Sequence, residues 1–305
     1  MRILNFGSLN IDYVYRVDTF VRPGETKSAR GMMVNCGGKG LNQSIAAAKA
    51  GNTVFHAALI GTDGKMLSQK LFDNGVDLSL CRAADAFSGN AIIQVDDAGQ
   101  NCILLYGGAN RMLTKAYIDE AIEAFGSDGL VLVQNETNLV GYIIARAHEK
   151  GLLTALNAAP MDQDVPAYPL HLLDLLIVNE VEGRGIACCE TEEEILPRLA
   201  ERYPGMNVLL TLGARGSVCR WHGETVRVGS YPVRPVDTTA AGDTFTGFFL
   251  ASLFAGKPVK EALLVASAAS ALCIQRPGAS DSVPSMDEVR EAIASGALGR
   301  IGGGA

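Results

Sequence analysis

A carboxylate, Asp243, follows three small residues, Ala240, Ala241 and Gly242, at the head of an apolar run, "DTTAAGDTFTGFFLASLFAG" at 237–256. The first backbone N–H groups of a helix lack helical partners and carry partial positive charge. Small side chains there let a phosphate approach the backbone. A carboxylate in that first turn can take a proton from a hydroxyl that attacks phosphorus. Equally, a first-turn acid can do no more than favour the helix dipole, and on these residues alone both readings stand. A second cluster, "GGKG" at 37–40, opens another helical run, with Asn42 in its first turn. Glycines admit a ligand to the backbone, and Lys39 and Asn42 supply hydrogen-bond donors. A plain turn with a cap reads the same way.

Familiar nucleotide-binding signatures are missing. Lys39, Lys65 and Lys257 follow glycines but precede Gly, Met and Pro, so no GxxxxGK[ST] loop exists. The first strand runs into "FGSLN" rather than GxGxxG, and neither HRD nor DFG occurs. The 305 residues are 48% hydrophobic and 19% charged, with net charge −7. That composition suits a large core and argues against a nucleic-acid partner. The opening "MRILNFGSLNID" reads as a core strand and not as a secretory signal. "GFFLASLFAG" and "ALLVASAASALCI" are split by "KPVKE" and too short to span a bilayer, so no membrane partner is expected. Seven cysteines, an odd number with no CxxC pair, argue against a disulfide framework and for a cytoplasmic location. Cys102, Cys219 and Cys273, in apolar runs, are expected to be buried thiols.

The elements that must position these residues alternate in type. "RILNFG", "TVFHAALIG", "GLVLVQ", "LLTALN", "LLIVN" and "NVLLTLG" read as buried strands. Between them, "LNQSIAAAKAG", "KMLSQKLFDNG", "TKAYIDEAIEAFG", "NLVGYIIARAHEKG" and "ETEEEILPRLAERYPG" read as helices, several stopped by glycine. The alternation predicts an α/β fold: a mostly parallel central sheet flanked by helices on both faces, with ligands at the carboxyl ends of its strands. Residues 11–34 and 89–107 break the pattern and read as antiparallel strands, the second turning at "DDAGQN". They make either a small β lid or an edge hairpin. The tail "GALGRIGGGA" is expected to fray.

In order along the chain stand "GSLNID" (7–12), "RPGET" (22–26), "GGKGLNQS" (37–44), "GGAN" (107–110) and "QNET" (134–137). "NEVEG" (179–183), "TLGARG" (211–216), "DTTAAGDTF" (237–245) and "RPGASDSVP" (276–284) follow. Together these nine motifs resemble the ribokinase, or PfkB, family of carbohydrate kinases over nearly the whole chain. The resemblance implies a ribokinase-like domain over 1–305 with the lid segments inserted in it. It implies transfer of the γ-phosphoryl group of ATP to a sugar primary hydroxyl, that of ribose before others. Other acceptors of the same fold (a nucleoside, a hexose, a sugar phosphate) are alternatives, and a non-catalytic sugar-responsive binding protein is an alternative of another class. A nucleoside would need an apolar slot, for which Tyr13, Tyr15 and Phe20 are available.

By the same resemblance, Asp243 is the base, and Ala240, Ala241 and Gly242 form an anion hole for the transferred group. Asn10, Asp12, Gly38, Lys39, Gly40, Leu41, Asn42 and Glu136 would bind the sugar. Thr211, Gly213, Gly216 and Ser267 would hold ATP, while Asn179 and Glu182 would organise its phosphates and Mg²⁺ through water. Gly216 could also serve only the turn into the next strand, and Asn179 and Glu182 only a helix start. Asp237, Thr239, Cys273, Arg276, Gly278 and Ser282 match a site for an activating monovalent cation, K⁺. Members of the family pair lids, so a homodimer is expected, through apolar residues such as Val14, Val17, Ile92 and Leu104. Three departures stand out: "NAAP" at 157–160, Ser267 where Asn or His is usual, and Pro277 in the cation loop.

Overall fold

The structure is a computed structural model that describes residues 2–299 and 301. Of the tail expected to fray, residues 300 and 302–305 lie outside the described residues. The strands are β1 (Arg2–Phe6), β2 (Asn10–Arg16), β3 (Gly31–Gly37), β4 (Thr53–Ala57), β5 (Leu59–Ile60), β6 (Arg82–Ala83) and β7 (Gly89–Val95). They continue with β8 (Asn101–Tyr106), β9 (Leu130–Gln134), β10 (Leu153–Asn157), β11 (Leu175–Asn179), β12 (Asn207–Thr211), β13 (Ser217–Trp221) and β14 (Glu224–Val228). The helices are α1 (Lys39–Lys49), α2 (Lys65–Asp73), α3 (Lys115–Phe125), α4 (Val140–Glu149), α5 (Glu180–Ala187), α6 (Ile195–Arg202), α7 (Ala241–Phe254), α8 (Val259–Cys273) and α9 (Met286–Ser295).

The central sheet has the order β14-β13-β12-β11-β10-β9-β1-β4 and is parallel from β4 to β12. Its strands are apolar on both sides because both faces are covered. Ile3 faces a core with α1, α7 and α8, whereas its neighbour Leu4 faces a second core with α3 and α4. From β1 the chain runs to β4 on one side and returns through β9 on the other. This reversal opens a crevice at the strand ends, the usual ligand position in such sheets.

The breaks in the pattern form a separate sheet, β3-β2-β7-β8. Its outer pairs, β2–β3 and β7–β8, are antiparallel as expected, and they meet through a parallel pair, β2–β7. Asn10 and Asp12 share one face of β2, while Tyr13 and Tyr15 point to the opposite one, because side chains alternate along a strand.

Some expectations needed correction. "TVFHAALIG" is not one strand: it breaks at Ala58, and β5 leaves to pair with β6. In "ETEEEILPRLAERYPG" the helix begins only at Ile195. Glu192, in its acidic lead, is drawn instead into ion pairs with Arg215 and Arg227. Strands β13 and β14 add an antiparallel edge. Cys219 and Cys273 are buried thiols, but Cys102 is exposed, since β8 is an edge strand without cover. No helix of the described residues is long and apolar enough to cross a membrane.

Candidate active site

The site grows from the contact between α1 and α7. Gly247 permits it: a methyl group there would lie 2.6 Å from Ala46 Cβ and Ala47 N. This approach carries Asp243, in the first turn of α7, against the start of α1. Asn42 Nδ2 donates to Asp243 Oδ2 (3.1 Å) and Gln43 Nε2 donates to Oδ1 (2.9 Å). Asp243 is thereby 8% exposed, at the edge of the crevice.

Ahead of it, Ala240 takes the left-handed conformation (φ 61°) and turns the chain into α7. The Ala241 N–H bonds Thr238 O and the Thr244 N–H bonds Ala240 O. Among the described residues the N–H groups of Gly242 and Asp243 have no acceptor. A side chain at Gly242 would meet nothing within 4 Å, so the space beside these donors is open. Unpaired donors with open space before them are what an anion requires.

The loop after β1 packs on the start of α1. A methyl at Gly40 would lie 2.2 Å from Ser8 N, and Gly38 adopts φ 96°. Glu136, beyond the end of β9, accepts from Lys39 N (2.9 Å) and from the Ser8 hydroxyl. Asn110 Nδ2 donates to Asn10 Oδ1 (2.8 Å), while Asn110 Oδ1 accepts from Leu9 N (2.9 Å). Asp12 has room only because Gly37 lacks a side chain, a methyl there being 2.0 Å from its carboxylate. Asn10, Asp12, Gly38, Lys39, Gly40, Asn42 and Glu136 thus gather with Asp243 at one end of the sheet. Leu41 joins only by its backbone: its side chain is fully buried and its N–H goes to Ser8 O.

Farther along the strand ends, Asn179 and Glu182 form a capping box on α5. Asn179 Oδ1 accepts from the Val181 and Glu182 N–H groups, and Glu182 Oε2 accepts from Asn179 N. Glu182 Oε1 takes no part in the cap. Thr211 ends β12, and Gly213 (φ 54°) opens the turn after it, where a methyl group would meet nothing within 4 Å. Gly216 differs, since a methyl there would lie 2.0 Å from Val228 O; its glycine serves the turn into β13. Ser267 donates to Gly229 O (3.4 Å).

The loop before α7 meets the end of α8. Asp237 Oδ1 accepts from Thr239 N (2.9 Å) and Oγ1 (2.6 Å), and Oδ2 accepts from Gly278 N (3.0 Å). Cys273 Sγ lies 3.0 Å from Ser282 Oγ and donates to Thr239 O (3.8 Å). Arg276 turns its side chain away to Glu288 (2.7 Å).

Residues 2–286 match the family described as pfkB family carbohydrate kinase. The chain belongs to the PfkB family of carbohydrate kinases. It is 32% identical over 294 residues to the ribokinase of Haemophilus influenzae, covering 93% of this chain and 96% of that one. The ribokinase of Arabidopsis thaliana, solved with ribose and ATP, is 30% identical and superposes with TM-score 0.84 over 95% of this chain and 97% of that one. The Giardia lamblia ribokinase gives TM-score 0.86 at 29% identity, covering 96% and 98%.

Charge in this PfkB site is arranged around Lys39. Burial works against its ammonium, but Asp243, Glu136 and Glu182 outweigh that cost and hold its pKa above the ordinary value. Burial, with Glu136 nearby, pushes Asp12 up to about 7. Burial also raises Glu182, against the pull of the Asn179 N–H and of Lys39. For Asp237, burial is outweighed by the Thr239 and Gly278 hydrogen bonds, and its pKa falls below the ordinary range. Four polar residues of the site had no role assigned from sequence: Ser8, Gln43, Asn110 and Gln134. Gln43 carried a signal, being a second amide, beside Asn42, at the head of the small and apolar stretch "SIAAA".

Proposed function

We propose that this carbohydrate kinase transfers the γ-phosphoryl group of ATP to the primary hydroxyl of ribose, giving ribose 5-phosphate and ADP. The observation that carries the reading is the head of α7, where the Asp243 carboxylate adjoins two N–H groups without acceptors. Asp243 takes the proton from the sugar hydroxyl. The sugar oxygen bonds the γ-phosphorus as its bond to the bridging oxygen breaks, and ADP leaves with that electron pair. The Gly242 and Asp243 N–H groups, with Ala240 and Ala241 shaping the turn, hold charge on the transferred group.

Ribose as acceptor is supported by the similarity to a ribokinase solved with ribose and ATP. The small-residue, polar pocket agrees with it: Asn10, Asp12, Lys39, Asn42 and Glu136 can pair several hydroxyls, and a sugar lacking one would leave buried groups unsatisfied. Of the aromatic residues available for a nucleoside slot, Tyr13 and Tyr15 lie on the side of β2 away from Asp12 and do not line this face. A pure binding protein would have no use for the base.

ATP would rest over the turn at Gly213 and reach α7, with Thr211 and Ser267 beside it. Asn179 and Glu182 fit Mg²⁺ held through water, since Glu182 Oε1 is left over by the cap. The metal, when bound, draws charge from the phosphate oxygens. The carboxylate and backbone oxygens near Asp237, Thr239, Cys273, Gly278 and Ser282 are hard donors that suit K⁺, with Arg276 contributing by its backbone alone. An exposed row on the lid, Val34, Ile92 and Leu104, suits pairing with a second copy. Of the other apolar residues expected there, Val14 is half-buried and Val17 buried.

The test is ADP release with Mg-ATP across ribose, deoxyribose, fructose, fructose 6-phosphate and several nucleosides, with and without K⁺. Ribose should be preferred, K⁺ should raise the rate, and Asp243→Asn should lower kcat by roughly 10²- to 10⁴-fold. Turnover unchanged in Asp243→Asn would overturn the assignment of the base.

A further inference from the structure

Behind Asp243 runs a chain of amides that no sugar or nucleotide can reach. Gln43 Nε2 donates to Asp243 Oδ1 (2.9 Å), and Gln43 Oε1 accepts from Gln134 Nε2 (2.8 Å). Gln134 Nε2 also donates to Asn5 Oδ1 (2.9 Å). Asn5 Nδ2 donates to Gly40 O (2.9 Å) and to Ser44 Oγ (2.8 Å). Ser44 Oγ meets His56 Nδ1 (2.8 Å), and His56 Nε2 meets Gly7 O (3.2 Å). Asn5, Gln43, Ser44, His56 and Gln134 are all 0% exposed.

The polarity of this chain is determined at its far end. A backbone carbonyl only accepts, so Gly40 O obliges Asn5 to present Nδ2, leaving Asn5 Oδ1 as acceptor. Gln134 must then offer Nε2 to Asn5 and to Gln43, and Gln43 must offer its own Nε2 to Asp243. The His56 end agrees: burial keeps the ring neutral, so Nε2–H donates to Gly7 O and Nδ1 accepts from Ser44. A flip of any one amide would place two acceptors or two donors together, which burial makes costly. Gly7 lies in the connection from β1 to Asn10, and Gly40 lies in the first turn of α1 with Lys39 and Asn42.

We propose that Gln43, oriented by Gln134 and Asn5, is a positioning residue for Asp243. It locks the carboxylate rotamer from behind and ties that rotamer to the first turn of α1 through Gly40. The inference rests on Asp243 being the base, and it assigns Gln43 no contact with either substrate. Asn42 alone would hold only Oδ2, leaving the carboxylate free to swing about that one bond.

The test compares Gln43→Met, Gln43→Glu, Gln134→Met and Asp243→Asn by steady-state kinetics over a pH series, with thermal unfolding of each. Gln43→Met keeps the length of the side chain and removes both hydrogen bonds. It should lower kcat on the order of 10- to 100-fold, the scale of a misplaced reacting group, with the KM for ribose and for ATP within about 3-fold. Gln43→Glu is diagnostic. Protonated, its O–H can donate to Asp243 and its carbonyl can accept from Gln134. Ionised, it sets a second carboxylate against the first. Its kcat should therefore fall as pH rises, along a limb that the unaltered protein lacks. Gln134→Met, one step farther from Asp243, should show a smaller loss of kcat and serves if Gln43→Met fails to fold. Loss of kcat in Asp243→Asn, with kcat unchanged in Gln43→Met or Gln134→Met and no new limb in Gln43→Glu, would overturn the positioning role while leaving the base intact. Full activity of Asp243→Asn would instead remove the reading on which it rests.

Discussion

Asp12 is the residue of the site whose acidity the fold changes most. Ordinarily a carboxyl near 3.8, it is pushed up to about 7 by burial and by Glu136. The shift acts on binding and on stability with opposite signs. For binding, protonation removes an acceptor from the sugar pocket, so kcat/KM for ribose should decline on the acid side with an inflection near 7. Asp12→Asn should lower kcat/KM and flatten that limb. For stability, the raised folded value means that the contribution is present below about 3.8 and is lost as pH rises through about 7. Thermal unfolding should therefore show Asp12→Asn gaining Tm at pH 8 relative to the unaltered protein and gaining none at pH 4. Nothing in "GSLNID" announces this value. The motif places an acid after the first strand, but Gly37, distant in sequence, makes the gap, and Glu136 makes the charge.

At the scale of elements, glycines that look alike in the sequence divide by what their missing side chain admits. Gly216 admits the protein's own backbone, and its φ of 89° is one that side chains rarely adopt. Gly216→Ala should cost roughly 3 kcal/mol or more of stability, read from denaturant unfolding, through clash and backbone strain together. Gly242 admits open space, in a helical conformation. Gly242→Ala should leave stability unchanged or slightly raised, by at most about 1 kcal/mol, yet lower kcat about 10²-fold by filling the place beside the unpaired N–H groups. Equal stability losses in the two variants would contradict this division. The elements themselves were largely legible, because buried parallel strands and amphipathic helices write their periods into the chain. What escaped were places where tertiary partners overrule the local pattern. Ala58 ends β4 because β5 finds β6, and Glu192 leaves its helical run for Arg215 and Arg227.

For the whole molecule, the two faces of the small sheet differ in what they meet. Its Asp12 face turns to the site, while Ile92 and Leu104 pair side by side on the face that carries Tyr13 and Tyr15 and remain exposed. Under the proposed lid pairing, this apolar row meets a second copy of the chain. Leu104→Glu should shift sedimentation from dimer to monomer and raise the KM for ribose; a monomer already in the unaltered protein at assay concentration would count against lid pairing. The motif order made the family recognisable from sequence alone, and the strand and helix periods determined the α/β class, because both depend on local or collinear patterns. Only the tertiary structure decided that Gly216 packs on a turn and Gly242 faces open space, that Leu41 belongs to the core, and that Gln43 stands behind Asp243. Those assignments depend on which residues meet across long gaps in the chain, as Gln43 and Asp243 do at a separation of 200 positions. No local period in a chain carries that information; close packing of the folded core creates it.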